Sequence, residues 1–396
     1  MWTRAFATYW SATSVSNLGS GVSVVALPTL AALQLHAGAA ELGYLRALEA
    51  APYLLFALVV GHLADRWRPL HLMIAADVVR ALLLGGVVAL ATTGRLNLAV
   101  LYASAFALGA FTVTYDIAQF TVMPSLVAER AMVPANSAVE LARGAAFTFG
   151  PGLGGLLTAL LRAAPSLIAD AGSYVFSAVA LSTLRRPVAV RPREQEAGRP
   201  TDGLRFLARH GQLRAMTQYL GVNNVCNQAF LTGLIAYLEV AEHSSAISVG
   251  LAFGAYGAGF LVAAALATPL RQWWGAAVNV IGSSLLSGAG IAVLAVGAAL
   301  RLGPVAVMVG AFLVGFAAPA FNVQSVALRL SVTPPELLGR VNAVVKLVSQ
   351  GSLPLGALAA GGLFSVLSPA TAFAVVATAS VLATAILILS PVRRLR

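Results

Sequence analysis

Residues 50–91 read AAPYLLFALVVGHLADRWRPLHLMIAADVVRALLLGGVVALA. Two long apolar runs flank one short polar hinge, HLADRWRP at 62–69. Neither run alternates as a half-buried strand would. Each approaches the roughly 20 apolar residues that a helix needs to cross a bilayer. Helices suit lipid because each satisfies its own backbone polar groups.

Outward from this stretch the pattern repeats. Polar breaks divide the 396 residues into twelve apolar segments: 5–33, 40–63, 71–93, 97–120, 135–161, 166–184, 213–238, 245–267, 277–300, 304–328, 338–363 and 369–390. Only 10% of residues are charged and 59% are hydrophobic, against about 25% and about 45–50% in soluble domains. That excludes a water-soluble globule. The runs are too continuous for outer-membrane barrel strands of about 10 residues. The predicted fold is an all-α polytopic membrane protein, with twelve transmembrane helices in two pseudo-symmetric six-helix bundles.

The net charge is +11, and every basic residue but Lys346 is arginine. A pI near 10.6 fits nucleic acid only when the bases share one solvated face. Here they sit in inter-helix loops, which suits lipid headgroups, so no nucleic-acid partner is expected. Eighteen basic residues fall on one set of loops and ends, and only Arg95, Arg162 and Arg301 on the other. The bias of Lys and Arg toward the cytoplasm then places both termini there. The single Cys226 cannot form an internal disulfide. The start, MWTRAF, runs into the first apolar segment without a small-residue cleavage site and reads as a first span.

The Pro- and Arg-rich stretch RRPVAVRPREQEAGRP at 185–200 is the one clear connector. It predicts an N-terminal bundle over 1–184, a cytoplasmic linker over 185–212 and a C-terminal bundle over 213–396. A shift of 206 residues pairs Asn136 with Asn342, Glu140 with Lys346, Gly150 with Gly356 and Gly155 with Gly361. Parallel six-helix repeats place a substrate site at their interface near the midplane.

The hinge after the second span, a glycine followed by Leu-x-Asp-Arg, resembles the signature loop of the major facilitator superfamily. MPSLV at 123–127, PAN at 134–136 and GRVNA at 339–343 resemble the branch that holds macrolide-efflux and enterobactin-export proteins, and the likeness runs nearly the full length. It implies that Gly61, Asp65 and Arg66 form an inter-domain latch, with Asp65 facing the start of the eleventh span at Gly339 and Arg340. The chain departs from the pattern after Arg66, where Arg68, Pro69 and Leu70 stand. GPGLGG at 150–155 is similar to the antiporter motif Gly-Pro-x-x-Gly-Gly. Pro151 kinks the helix, and Gly150, Gly154 and Gly155, facing the glycines of the eighth span (Gly250, Gly254, Gly257, Gly259), would give a sliding contact between the halves.

Charges within spans are the best site candidates, since each costs at least about 2.5–3.5 kcal/mol at the centre unless partnered. Arg46 and Glu49 are three apart and share a face with Tyr53. Glu140 and Arg143 are also three apart, in line with Phe147. Asp116 lies on the fourth span with no basic neighbour in its own segment. Glu49, Asp116 and Glu140 are the proton-coupling candidates. The resemblance places the third, sixth, ninth and twelfth spans outside the cavity, which makes Asp77, Arg80 and Asp170 structural. The first span offers no carboxylate, only Thr13, Asn17 and Ser20. The seventh carries Asn223, Asn224, Asn227 and Gln228, a face too polar for lipid. Phe312, Phe316, Phe321 and Asn322 on the tenth span, with Lys346 and Gln350 on the eleventh, complete the expected substrate cavity.

Other chemistry is thin. The five histidines are scattered, and no metal-ligand spacing, phosphate-binding GxxxxGK[ST] loop or GxSxG elbow appears. No cofactor, metal or enzymatic activity is expected. The sequence predicts a monomeric exporter of an amphipathic, drug-like molecule across a bacterial cytoplasmic membrane, exchanging it for protons. Alternatives are a dedicated exporter of an endogenous metabolite such as a siderophore, or an importer or facilitator of the same fold. One proton crossing about 150 mV releases roughly 3.5 kcal/mol, enough to hold a gradient of about 300-fold.

Overall fold

The computed structural model describes residues 3–66, 68–128, 131–184, 201–242 and 246–394. Every long element among them is a helix: α1 (Arg4–Leu35), α2 (Ala39–Arg66), α3 (Pro69–Thr92), α4 (Leu98–Leu126), α5 (Met132–Leu161), α6 (Ala163–Ser182), α7 (Thr201–Arg209), α8 (Gly211–Ile235), α9 (Ala246–Leu300), α10 (Pro304–Val332), α11 (Pro335–Val366) and α12 (Pro369–Ile388). α9 comprises two helical arms that meet at Gly275, whose φ of 77° only glycine adopts readily. A π-helical turn, Ala236–Ala241, continues α8.

Among the described residues, ten segments, counting the arms of α9 separately, are long and apolar enough to cross a bilayer. The chain is therefore an all-α, multi-pass membrane protein. α8, 25 residues long, is not among the ten; it carries the four amides from Asn223 to Gln228.

Local chemistry sets the helix ends. Thr3 accepts from the Phe6 amide at 3.1 Å and Asn97 from the Val100 amide at 2.9 Å, so each caps donors that the first turn leaves orphaned. Proline opens α3, α10, α11 and α12, where its missing N–H is not needed. The connector differs from expectation. Residues 201–209, read as linker, form the amphipathic helix α7. Leu207 buries against α8 and α11 residues such as Met216 and Val341, while Arg205 and Arg209 stay exposed.

The chain folds as two compact units. Unit 1 comprises Met1–Ala37, Leu48–Glu194 and Ser244–Gly250, and unit 2 comprises Gly38–Ala47, Gln195–His243 and Leu251–Arg396. The first turns of α2 thus belong with unit 2, and the start of α9 with unit 1. In unit 1, α1 packs on α5 and α6, and α3 on α4 and α6. Phe6, Tyr9, Met73, Tyr115 and Leu181 close its core. In unit 2, α8 packs on α11 and α12 around Met216, Tyr219, Phe321 and Leu387.

The glycines of the 150–155 motif do not all do what the sequence predicts. Gly150 and Gly154 meet α1, not the eighth-span helix. A Cβ on Gly150 would lie 2.7 Å from the Gly21 Cα, and one on Gly154 would lie 2.6 Å from the Val22 carbonyl oxygen. Pro151 is buried beside them. Gly152 and Gly155 lie against a glycine of α9: a Cβ on Gly250 would stand 3.0 Å from the Gly155 Cα and 3.3 Å from the Gly152 carbonyl oxygen. The reason is spacing. Residues 150 and 154 share a helix face that carries α1, and 152 and 155, three apart, share another. Gly150→Leu should cost about 1–3 kcal/mol by overpacking, read as a lower thermal unfolding midpoint of the purified protein. Gly254→Ala, whose added methyl meets nothing within 4 Å, should leave the midpoint in place.

Candidate functional site

Unit 1 holds a cavity of about 250 Å³ among α1, α2, α4, α5 and α6. Asn17, Ser20 and Ser23 reach it from α1, Glu49 and Tyr53 from α2, and Arg143 and Phe147 from α5. Their spacing explains the convergence. Residues 17, 20 and 23 of α1, 49 and 53 of α2, and 143 and 147 of α5 each recur at three or four, one face of a helix. Gly109 admits α2, since a Cβ there would lie 3.1 Å from the Pro52 ring. Leu108, Thr112 and Val113 supply an apolar wall from α4.

The structure brings Asn17, Glu49, Tyr53 and Arg143 together from the predicted set. Asp116 and Glu140 do not line this cavity, but both are electrostatic neighbours of Arg143. α5 thus provides the basic neighbour that Asp116 lacks in its own segment. Arg46, one turn before Glu49 on α2, does not line this cavity and lies in the α2 segment that groups with unit 2.

A residue expected to be structural also reaches the cavity. Asp170 of α6 lines it, together with Tyr174. The Ser23 hydroxyl of α1 donates to the Asp170 carboxylate, and the Tyr174 hydroxyl lies 2.9 Å from Ser20 Oγ. Behind them, Arg80 and Asp77 of α3 form a buried ion pair. The Arg80 guanidinium stands 4.6 Å from the Tyr115 ring centroid and 4.1 Å from that of Tyr174, so aromatic faces replace part of its lost hydration. Asp77 Oδ2 and Arg80 Nε find no hydrogen-bond partner among the described residues.

In unit 2 the amides of α8 are half-buried and engaged. Asn224 Nδ2 donates to the Ser349 carbonyl at 2.9 Å and to its Oγ at 2.8 Å, tying α8 to α11. Asn227 Nδ2 donates to Tyr256 Oη of α9 at 3.3 Å, Asn223 Oδ1 accepts from Tyr219 Oη at 3.1 Å, and Gln228 Nε2 donates to Thr232 Oγ1 at 3.2 Å. The face is therefore a helix-packing seam as well as a polar stripe. Phe312 and Phe316 lie 6.3 Å apart along α10, against Gly259 of α9. Phe321 differs from expectation and is core, 4.8 Å from the Tyr219 ring. Gln350 is half-buried on α11 and Lys346 is exposed.

The side chains of Gly61, Asp65, Arg66 and Gly339 lie outside the described residues. Arg340 is described, and Asp202 of α7 lies 3.7 Å from it. Sequence reasoning missed two features. The α7–α11 contact could have been read from Phe206 and Leu207, apolar beside charged neighbours. Glu239, 4% exposed in the π-helical turn, sits one residue past the predicted end of its span. Among the described residues, no three His, Cys, Asp or Glu side chains gather as metal ligands would.

A larger cavity, about 1060 Å³, opens where α1, α3, α5 and α6 end. Leu33, Gln34, Thr92 and Arg162 line it, and none of them is a predicted site residue.

Three comparisons bear on this arrangement. The family model described as the Major Facilitator Superfamily matches residues 9–303. The multidrug efflux pump Tap of Mycolicibacterium fortuitum is 26% identical over 370 residues, covering 88% of this chain and 86% of that protein. The pump of the same name in Mycobacterium tuberculosis is 27% identical over 383 residues, covering 89% and 85%. Among solved structures, the nucleoside transporter NupG superposes with a TM-score of 0.74 at 14% identity, covering 98% of this chain and 99% of that one. A bacterial homologue of the iron transporter ferroportin gives 0.71 at 16%, covering 98% and 99%. These structural likenesses speak to the fold alone.

Removing one partner of a buried ion pair strands the other. Arg80→Met should therefore cost about 3–5 kcal/mol, measured as a fall in the unfolding midpoint. Adding Asp77→Leu to it should restore most of that loss, because both charges are then gone.

Proposed function

Because this chain belongs to the major facilitator superfamily, and so carries small molecules across a membrane, we propose that it exports an amphipathic, drug-like molecule by alternating access in exchange for protons. The observation that carries the reading is the similarity to multidrug efflux pumps over 88–89% of the chain. The cavity of unit 1 supports it. Its walls are mostly apolar, with a few amide, hydroxyl and ionisable groups, a mixture that receives a bulky body and orients one polar end. Carboxylates beside that cavity are the groups that can take and return a proton. Glu49 touches it directly, while Asp116 and Glu140 act through Arg143.

In this reading Asn17, Tyr53, Arg143 and Phe147 contact the substrate from unit 1. From unit 2, Arg46, Asn223, Asn224, Asn227, Gln228, Phe312, Phe316, Lys346 and Gln350 contribute. Gly61, Asp65 and Arg66 close the cytoplasmic side against Gly339 and Arg340. Gly150, Pro151, Gly154 and Gly155 set how α5 packs during the cycle. The protein sits as a monomer in a bacterial cytoplasmic membrane with both termini inside, the side to which its arginine-rich loops belong.

The test is efflux from proteoliposomes with an imposed pH gradient, using a macrolide, a cationic dye and a siderophore as probes. The expected result is efflux of the dye or the macrolide that falls at least about tenfold when a proton carrier collapses the gradient, since about 1.4 kcal/mol of drive is tenfold. Efflux that ignores the collapse refutes antiport, and movement of the siderophore alone favours a dedicated metabolite exporter. Glu49→Gln and Glu140→Gln should uncouple flux from the gradient. A variant that keeps full gradient-driven flux removes that residue from the mechanism.

A further inference from the structure

Asp170 is 1% exposed, yet it stands in the wall of the unit 1 cavity. Its Oδ2 accepts from the Ser23 hydroxyl. Its Oδ1 lies 3.2 Å from Ser173 Oγ. Ser173 has one hydroxyl hydrogen, and its Oγ is nearer, at 2.7 Å, to the Asp170 backbone carbonyl. That one hydrogen serves the carbonyl or Oδ1; when it is on the carbonyl, a hydrogen carried by Oδ1 completes the Oδ1···Oγ contact. α1 is pressed close here. A Cβ on Gly19 would run into Ser173 Oγ and come within 2.7 Å of Asp170 Oδ1.

The charges around the carboxyl do not balance. α3 presents Asp77 and Arg80, already paired with each other. α4 presents Tyr115, and α6 its own Tyr174. α1 offers only the hydroxyls of Ser20 and Ser23. Across the cavity stand Glu49 of α2 and Arg143 of α5, and Arg143 also serves Asp116 and Glu140. Asp170 is thus the carboxylate left over beside a single buried guanidinium. A charge in that position is neutralised at lower cost by a proton than by burial as it is.

We propose that Asp170 is a proton-binding site of unit 1, taking up a proton on Oδ1 from the water of the cavity and donating it to Ser173 Oγ. Uptake converts the carboxylate to a carboxylic acid, and release returns the proton to the same water. No other bond changes. Its use in transport rests on the antiport reading above, but the binding itself does not. Within that reading, Asp170 is the group that loads the proton, in addition to Glu49, Asp116 and Glu140.

The test is infrared difference spectroscopy of the full chain in phosphatidylcholine–phosphatidylglycerol vesicles, taken between about pH 5 and about pH 9, around the ordinary carboxyl range. The wild type should show the C=O stretch of a buried carboxylic acid, shifted in deuterated water. Asp170→Asn should lose that band, and Glu49→Gln should keep it. Ser173→Ala, which keeps the carboxyl but removes its acceptor, should move the band; this variant decides the matter if Asp170→Asn does not fold. A wild type with no such band, a band that survives Asp170→Asn, a band lost in Asp77→Asn instead, or a band indifferent to Ser173→Ala would each overturn the assignment. The dye-efflux measurement separates the two readings: a band at Asp170 with efflux blind to the gradient leaves the proton site standing and removes antiport.

Discussion

Hydrocarbon gives a charge nothing to bind, so every ionised side chain at that depth must bring its partner with it. Much of unit 1 follows from this constraint. Arg80 is held by Asp77 and lies close to the rings of Tyr115 and Tyr174. A planar, weakly hydrated guanidinium can use such faces, and an ammonium uses them less well. The same constraint accounts for the polar faces of α2 and α8. Their polar groups are turned toward other helices and a cavity, where Glu49 finds the pocket and Asn224 finds Ser349.

Close backbone approach is the second condition. Lipid tails are as apolar as leucine, so helices associate in a membrane by packing and not by expelling water. Small residues let the backbones meet. Gly43 lies against Gly361, where a Cβ would stand 2.5 Å from the opposing Cα, and Gly155 lies against Gly250. An offset of 206 residues carries 155 onto 361 and 43 onto 249, one residue from Gly250. The internal repeat visible in the sequence therefore returns as a repeated glycine-to-glycine contact, one within each compact unit. Agreement between a sequence offset and a backbone contact is stronger than either alone, because glycine is abundant here and chance matches are common.

The helices and the family were legible because both depend on one-dimensional signals, apolar run length and a charged hinge. The wall of the cavity was partly legible: a charge in an apolar run is conspicuous, and Glu49, Tyr53 and Arg143 stand where that logic puts them. What escaped depends on which helix lies opposite. Gly150 and Gly154 look alike whether they face α1 or α9. Arg46 and Glu49 share one face, yet α2 passes from one compact unit to the other between them. α7 was hidden by the proline and arginine around it, although Phe206 and Leu207 pack against the core of unit 2. Asp170 was set aside because span order placed α6 away from the cavity, whereas α1 and α6 pack closely enough for Ser23 to reach it.

That last displacement changes how charge is shared in unit 1. A residue that exchanges protons needs an environment that tolerates both of its forms. Glu49 and Glu140 each have an arginine three residues away on their own helix. The cation beside Asp170 is already committed to Asp77, and its nearest groups are hydroxyls, which donate to an anion and accept from an acid equally well. Two serines, the Tyr174 hydroxyl and an arginine paired with Asp77 make a site that either state can occupy without a new partner, and such indifference is what a carrier of protons requires. The static ion pair of α3 then has a clear part to play: by holding Arg80 away from full engagement with Asp170, Asp77 leaves the α6 carboxyl free to change its charge.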